Sequence, residues 1–342
     1  MIDVIESEQW VAAARSLRLD PYCSLRPRFL GLPDANAVLS SVDNDCRNAR
    51  RSRLLRMAEG GTAALYAPTH VYWEIYRRLP RLASFSPVPL VDLRRHFEEE
   101  YLPVMRFVRV SAGEVGDPQV LAITDPDDVP MGQLAKLIAP CVVFSEDKSL
   151  RRPRLAPPDW RLAAGFAADI AGGSSDRQAT GMVAVAPGWA AVELIKFLGR
   201  RTGISSWLLG ACIVGGAIVV LRKPERRQAV GKYGMPMLQV LAEMLEEARV
   251  REERGLAGLR EVILPAPPGP ALRQRVAVVL ARQEEPLLAR EVQELIEVRF
   301  PGQPVPPLTE IRTVLSEGSE FVQPARYRWQ FGRQAGPWRS RE

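Results

Sequence analysis

Acidic side chains stand at the mouths of four elements that the sequence predicts. The apolar run Phe29-Leu30-Gly31-Leu32-Pro33 ends at Asp34, with a helix expected directly after it. Tyr72-Trp73-Glu74-Ile75, Asp125-Pro126-Asp127-Asp128-Val129 and Phe144-Ser145-Glu146-Asp147-Lys148 repeat that placement. Open α/β sheets bind ligands outside the carboxyl ends of their parallel strands. Hard cations such as Mg²⁺ take carboxylate oxygens together with phosphate and water. Clustered acids of this kind suit a metal-dependent phosphodiesterase, in which the ions activate a water and neutralise charge on the scissile phosphate and leaving oxygen. No protein nucleophile is then needed, and the chain carries no Ser-His-Asp or Cys-His signature, P-loop, dinucleotide fingerprint or zinc motif. Each acid also has a local reading. Asp34 and Asp125 to Asp128 can cap helices, Glu74 can face solvent although Trp73, Ile75 and Tyr76 crowd it, and Asp147 can close a turn.

The elements that must position these acids alternate in type. Strands are expected at 28–33, 64–67, 106–110 and 141–144. Helices are expected at 37–58, 68–79, 90–101, 129–138 and 159–171, after a short amphipathic helix at 3–18. Gly60-Gly61 end the helix at 37–58, which carries Arg50, Arg51, Arg53 and Arg56 as a solvated face or a grip on RNA backbone. Strands alternating with helices imply a parallel α/β sheet.

With these pieces in order, the chain over roughly residues 25–155 resembles the PIN-domain nucleases. The matching stretches are the Asp34-Ala35-Asn36 strand end, Glu74 within Val71 to Leu79, Asp127-Asp128-Val129-Pro130 before a helix, and Ser145-Glu146-Asp147-Lys148. The resemblance implies a catalytic metal cluster of Asp34, Glu74, Asp128 and Asp147 holding Mg²⁺ or Mn²⁺. Asn36 and Ser145 would be supporting polar groups and Asp125 an outer or alternate acid. One departure is Pro33, where the family shows an apolar residue; proline removes a ladder donor, so the first strand is expected to end early there.

The net charge of +6 favours a polyanionic partner, with Arg-rich clusters at 47–56, 222–227 and 326–341. Cys23, Cys46, Cys141 and Cys212 show neither CxxC pairing nor ligand spacing with His70 and His96, and read as reduced thiols of an intracellular protein. Ile2 to Glu8 is acidic and lacks the apolar core of a signal peptide. From about 151 the character changes. Two apolar stretches, 182–198 and 204–221, read either as a membrane hairpin or as a buried, self-associating helical element. The hairpin would bury Glu193 and Lys196, which is costly. A charge-laced helix at 235–261 should bury Leu238, Leu241, Leu245 and Val250.

Beyond the linker Pro265 to Pro270, helices at 271–283, 287–297 and 307–317 precede the basic, aromatic stretch Phe321 to Phe331. This pattern resembles a winged helix-turn-helix, like the modules fused to restriction endonucleases and found in the bacterial RNA polymerase delta subunit. Arg326, Arg328 and Arg333 would lie in the wing and bind nucleic acid, with Tyr327 and Trp329 alternating between them.

The sequence therefore predicts an α/β protein in three parts. These are a PIN-like parallel sheet flanked by helices over 1–171, a hydrophobic helical segment over 172–264, and a winged-helix domain with a basic tail over 265–342. The function expected is that of a Mg²⁺- or Mn²⁺-dependent endoribonuclease, akin to the PIN toxins of toxin–antitoxin systems. Its expected partners are RNA, DNA through the carboxyl-terminal module, an antitoxin or other protein, and a second copy of the chain. The expected location is cytoplasmic, or the inner membrane through 182–221. The alternative is a non-catalytic nucleic-acid-binding regulator or assembly scaffold with vestigial acids.

Overall fold

The computed structural model describes residues 29–110, 117–174, 176 and 224–336. The expected helix at 3–18, both apolar arms at 182–198 and 204–221, Cys23 and Cys212 lie outside the described residues. Residues 1–171 and 254–342 make one compact unit and residues 172–253 another.

The first unit is built on a five-stranded, mostly parallel sheet. Its strands are β1 (Phe29–Pro33), β2 (Ala63–Pro68), β3 (Met105–Val108) and β4 (Cys141–Phe144), ordered β4-β1-β2-β3, with a late antiparallel strand β8 (Arg333–Gln334) added beside β3. The connecting helices are α1 (Ala35–Asn48), α2 (Arg53–Glu59), α3 (Thr69–Phe85), α4 (Leu90–His96), α5 (Pro118–Leu121), α6 (Val129–Ile138) and α7 (Lys148–Arg151). Every residue of β1 and β4 is buried, as expected for strands covered on both faces. Gly31 is required in the middle of β1. A Cβ there would stand 2.8 Å from the Phe144 ring and 3.0 Å from a Leu65 methyl.

The strand does not end early at Pro33. Pro33 pairs in register with Phe144, and the Asp34 N–H continues the ladder to the Phe144 carbonyl at 3.1 Å. In a parallel strand successive N–H groups point to alternate sides. The Phe29 N–H reaches Thr62 on the β2 side, so the donor that Pro33 lacks would point there too. Pairing with β2 already stops at Gly31, so nothing is lost.

The helix expected at 37–58 is two helices. Ala49 adopts a left-handed conformation (φ 47°) that ends α1, and Ser52 caps α2 by accepting the Leu55 N–H at 3.1 Å. Asp45, buried on α1, accepts the Tyr101 hydroxyl at 2.8 Å and ties α1 to the π-helical turn Phe97–Tyr101 after α4.

The carboxyl-terminal segment belongs to this same unit instead of standing apart from residue 265. Leu264 exchanges two backbone hydrogen bonds with Cys141, covering the open edge of β4. At the opposite edge β8 pairs with β3, Arg333 facing Phe107. Both exposed edges of the parallel sheet, an aggregation liability if left bare, are thus closed by late sequence. Gly332 makes the turn into β8 at φ 67°. Between these staples lie α8 (residues 160–174), the end of the long helix α9 (Pro224–Val262), then α10 (Leu272–Ala281), α11 (Ala289–Arg299) and α12 (Leu308–Glu317). A small three-stranded sheet follows, ordered β5 (Leu287–Leu288), β7 (Arg328–Phe331), β6 (Phe321–Ala325). Its core is Val276, Val279, Leu280, Val292, Ile296, Ile311, Leu315 and Phe331.

In the second unit, Gly172 and Gly173 pack on the Arg251 and Ala248 turn of α9; a Cβ on Gly173 would meet the Ala248 carbonyl at 2.5 Å. Leu245 and Val250, expected to be buried, are exposed, and the buried side carries Ala248 and Glu252. Among the described residues no helix is long and apolar enough to cross a membrane.

Candidate active site

The carboxyl edge of the parallel sheet gathers the acids through the ends of β1 and β4 and the turn that opens α6. β1 delivers Asp34 into the start of α1, where its carboxylate accepts the Ala37 N–H at 2.7 Å. Asp125 accepts the Asp127 N–H at 3.0 Å and opens a short turn of helix that leads through Asp128 into α6. β4 leads through Ser145 to Asp147, which caps α7 by accepting the Ser149 N–H at 2.8 Å. Each acid therefore sits at a helix N-terminus, where the helix dipole favours negative charge.

Two serines link the acids. Ser145, fully buried, donates its hydroxyl to Asp34 and accepts the Asp147 N–H at 3.0 Å. Ser149 donates its hydroxyl to Asp128 while its N–H goes to Asp147. Asp34, Ser145, Asp147, Ser149 and Asp128 thus form one polar chain along the edge. Ser145 was a candidate from sequence; Ser149 was not. The pattern Asp147-x-Ser149 at the start of a helix was its only signal.

The electrostatics of the edge are strained. Burial pushes the Asp34 carboxyl from its ordinary 3.8 up to about 6, against the Ser145 and Ala37 hydrogen bonds, with Asp128 and Glu74 adding repulsion. The Asp128 carboxyl is likewise pushed up to about 6 by desolvation, against the Ser149 hydrogen bond, with Asp147, Asp125 and Glu74 repelling it. Glu74 reaches this group from the first turns of α3, while also pairing with Arg78 at 2.7 Å. His70, one turn before Glu74, is held below its ordinary value by burial, although Glu74 and Asp127 oppose that shift.

Asp34, Glu74, Asp128 and Asp147 are therefore electrostatic neighbours, with Asp125 exposed at the margin. Asn36 is exposed on the first turn of α1. Among the described residues no three His, Cys, Asp or Glu side chains are grouped so as to hold one ion. The donor set itself, all carboxylate and hydroxyl oxygen, has the chemistry of Mg²⁺ or Mn²⁺ and not of a soft metal. Cys46 and Cys141 are free thiols well away from it in role, Cys141 being buried within β4.

Basic groups flank the acids on the β4 side. A cleft of about 440 Å³ opens there, lined by Glu146, Arg151, Pro158, Asp159, Trp160 and Arg161, with Arg161 paired to Glu146. The Trp160 indole N–H donates to Glu146 at 3.0 Å, and the Arg161 guanidinium lies 5.1 Å over the Trp160 ring. Three arginines of α1, α2 and the turn between them are engaged elsewhere: Arg47 pairs with Asp43, Arg51 with Glu59 and Glu100, and Arg53 donates to the Arg161 carbonyl.

The expected wing residues divide. Arg326 and Tyr327 form the tight turn between β6 and β7, with Tyr327 at φ 62°, so they do not alternate along a strand. Arg326 lies 4.9 Å over the Tyr327 ring, and Arg328 donates to the Pro286 carbonyl at 2.9 Å. Arg333 leaves the hairpin altogether and joins β8 in the main sheet.

Compared with known proteins, the chain matches no family model, no curated protein and no solved structure.

Proposed function

We propose that the protein is a divalent-metal-dependent endoribonuclease of the PIN type, with Asp34, Glu74, Asp128 and Asp147 as its metal-holding acids. The observation that carries the reading is the gathering of Asp34, Asp128 and Asp147, linked through Ser145 and Ser149, at the carboxyl edge of a parallel sheet, where burial pushes two of the carboxyls up to about 6. Folding gathers negative charge there at a cost in free energy, and perturbed groups of this kind concentrate at functional sites. A bound Mg²⁺ or Mn²⁺ would supply Lewis-acid activation of a water and charge neutralisation at the scissile phosphate. The chain's own part is to aim the carboxylates. Ser145 and Ser149 fix the orientation of Asp34, Asp147 and Asp128, and Arg78 steadies Glu74. Three helices followed by a hairpin in the carboxyl-terminal segment support the likeness to a winged helix-turn-helix, with Arg326 at the exposed tip as a nucleic-acid contact.

The test is cleavage of mixed RNA and DNA substrates with Mn²⁺ or Mg²⁺, the Asp34→Asn variant beside the parent. We expect RNA cleavage by the parent, and a fall of more than about 100-fold in the variant, beyond the loss typical of removing a mere supporting group. Equal rates in both proteins would remove Asp34 from the site. The rival reading, a regulator or scaffold with vestigial acids, draws on the local capping bond that Asp34, Asp125 and Asp147 each make. It predicts nucleic-acid binding by the parent with no cleavage under any divalent ion.

A further inference from the structure

The exposed side of α3 carries a row of groups that the acid cluster does not use. Val71, Tyr72, Ile75 and Leu79 turn inward and anchor the helix. On the outer side Trp73 is 53 % exposed, although an indole is among the costliest side chains to leave in water. Its only described ring partner is Tyr72, edge-on at 4.9 Å, which leaves an indole face open. Arg77 and Arg81 follow at intervals of four residues, both exposed, and neither forms an ion pair among the described residues. At 3.6 residues per turn Arg77 is offset by about 40° and raised by about 6 Å from Trp73, and Arg81 continues the ridge on that side of the helix just after Pro80, which removes one ladder bond there. Glu74 flanks the ridge on the same side, about 60° round the axis from Arg77. The ridge therefore begins at the level of Glu74, which lies about 100° round the axis from Trp73, and runs along the helix away from that level.

We propose that this ridge is a single-stranded RNA subsite, in which a base adjoining the scissile phosphate stacks on Trp73 and the following phosphates lie along Arg77 and Arg81. An aromatic face interleaved with free cations is the recognition chemistry of unpaired nucleic acid, since every base offers a π-face and every linkage a charge. A duplex hides its bases in the stack and cannot use the indole. The ridge is positive beside an acid cluster that would repel a phosphate chain, so it offsets that repulsion just where a strand must approach. Arg78, by contrast, is tied to Glu74. The inference rests on the nuclease reading for its substrate class, but it concerns binding and can fail separately.

The experiment uses the full chain. Binding of a short fluorescein-labelled oligouridylate is followed by anisotropy without divalent metal, for the parent, Trp73→Ala, Trp73→Phe and the double variant Arg77→Ala/Arg81→Ala. Thermal melts serve as the folding control, and all these side chains are exposed. We expect Trp73→Ala to weaken binding about 10- to 100-fold and Trp73→Phe to retain most of it. The arginine pair should lower the slope of log affinity against log salt by about 1.4. With Mn²⁺ present, Trp73→Ala should raise KM and leave kcat nearly unchanged. A parent that binds RNA through Trp73 without cutting it keeps the subsite and overturns the nuclease reading. A parent that cuts RNA while Trp73→Ala binds as tightly does the reverse. A parent that neither binds nor cuts overturns both. If Trp73→Ala instead dissociates a parent dimer in sedimentation, with RNA affinity unchanged, the ridge is a self-association surface and the subsite is overturned.

Discussion

Two regions of the first unit concentrate charge at helix ends, with opposite signs and opposite consequences. At the carboxyl edge of the sheet, Asp34, Asp128 and Asp147 stand at helix N-termini. At the other, the C-terminal end of α10 docks over the sheet and meets cations. Tyr66 donates to the Ala281 carbonyl at 2.8 Å, Arg106 to the Gln283 and Glu284 carbonyls at 3.1 and 2.7 Å, and Arg282 to the Pro140 carbonyl at 3.3 Å. Both obey the helix dipole. They differ in what surrounds the charge. Arg106 faces neutral carbonyl acceptors that belong to the fold, whereas Arg282, buried, is held well below its ordinary value by desolvation and by the charge of Arg299. The acids face one another, and the serine hydroxyls and N–H groups beside them do not offset their desolvation. The first pattern is that of a clamp; the second is that of a site completed by something positive.

The comparison breaks if the two regions respond alike to charge removal. The largest effect is expected at the clamp. Arg106→Ala withdraws a charged donor from two carbonyls and should cost about 2–3 kcal/mol, since bonds to charged groups contribute about 1.5–3 kcal/mol each and only the Gln283 carbonyl is part-buried, that of Glu284 being exposed. Chemical denaturation of both proteins measures it. At the acid edge the sign reverses. Asp34 is buried and its carboxyl is pushed by that burial from 3.8 up to about 6, so its ionised form costs the fold about 3 kcal/mol. Asp34→Asn keeps an acceptor oxygen for the Ala37 N–H and should raise metal-free stability at pH 8 by up to that amount.

The same shift fixes a pH dependence. A carboxyl whose folded value lies above its unfolded one binds more protons in the native state, so stability falls as pH rises through the interval. For Asp34 the interval runs from 3.8 to about 6. Metal-free protein should therefore lose stability across that window, and Asp34→Asn should lose less. A flat profile in the parent would mean that Asp34 is no more perturbed than a surface acid.

How much of this was legible from sequence follows the range of the interactions. The four parallel strands and the acids at their ends could be read, because apolar runs ending in Asp or Ser-x-Asp are local patterns. The break between α1 and α2 was hidden, because Ala49 takes the left-handed turn without glycine and Ser52 lies inside an otherwise helical stretch. Strand β8 was invisible for a different reason. Arg333-Gln334 has no periodicity of its own and is a strand only because β3, more than two hundred residues earlier, offers an edge. That pairing and the Leu264 bridge fuse the carboxyl-terminal segment to the sheet, which composition alone set apart at residue 265. At the site, Ser149 and the exposure of Trp73 were missed, since crowding along a helix does not tell which neighbour turns outward.

A smaller effect sharpens the clamp side. Tyr66 is buried and its phenol is pushed up by desolvation, so at ordinary pH it is a neutral donor to the Ala281 carbonyl. Tyr66→Phe keeps the ring against Phe331, whose centroid lies 5.3 Å away, and deletes only the hydroxyl. The cost should be about 1–2 kcal/mol, that of one buried acceptor left unmatched. Loss comparable to Arg106→Ala would mean the ring, not the hydrogen bond, fastens α10.

The smallest effect is expected where the two behaviours meet in one residue. Glu74 is repelled by Asp34 and Asp128 yet pairs with Arg78 four residues on, in the favourable order of acid before base. Both partners are about a third exposed, so the pair contributes only about 0.3–0.5 kcal/mol. Glu74→Gln removes that attraction and, at the same time, one source of repulsion on the two buried acids. The two changes oppose each other, and net stability at neutral pH should stay within about 0.5 kcal/mol of the parent. The pH profile separates them. With Glu74 neutral, Asp34 and Asp128 should titrate lower, moving the stability loss to lower pH. Glu74→Gln as stabilising as Asp34→Asn would put Glu74 as deep in the cluster as Asp34. A loss above about 1 kcal/mol with an unmoved profile would make it a strut of α3 and take it out of the site.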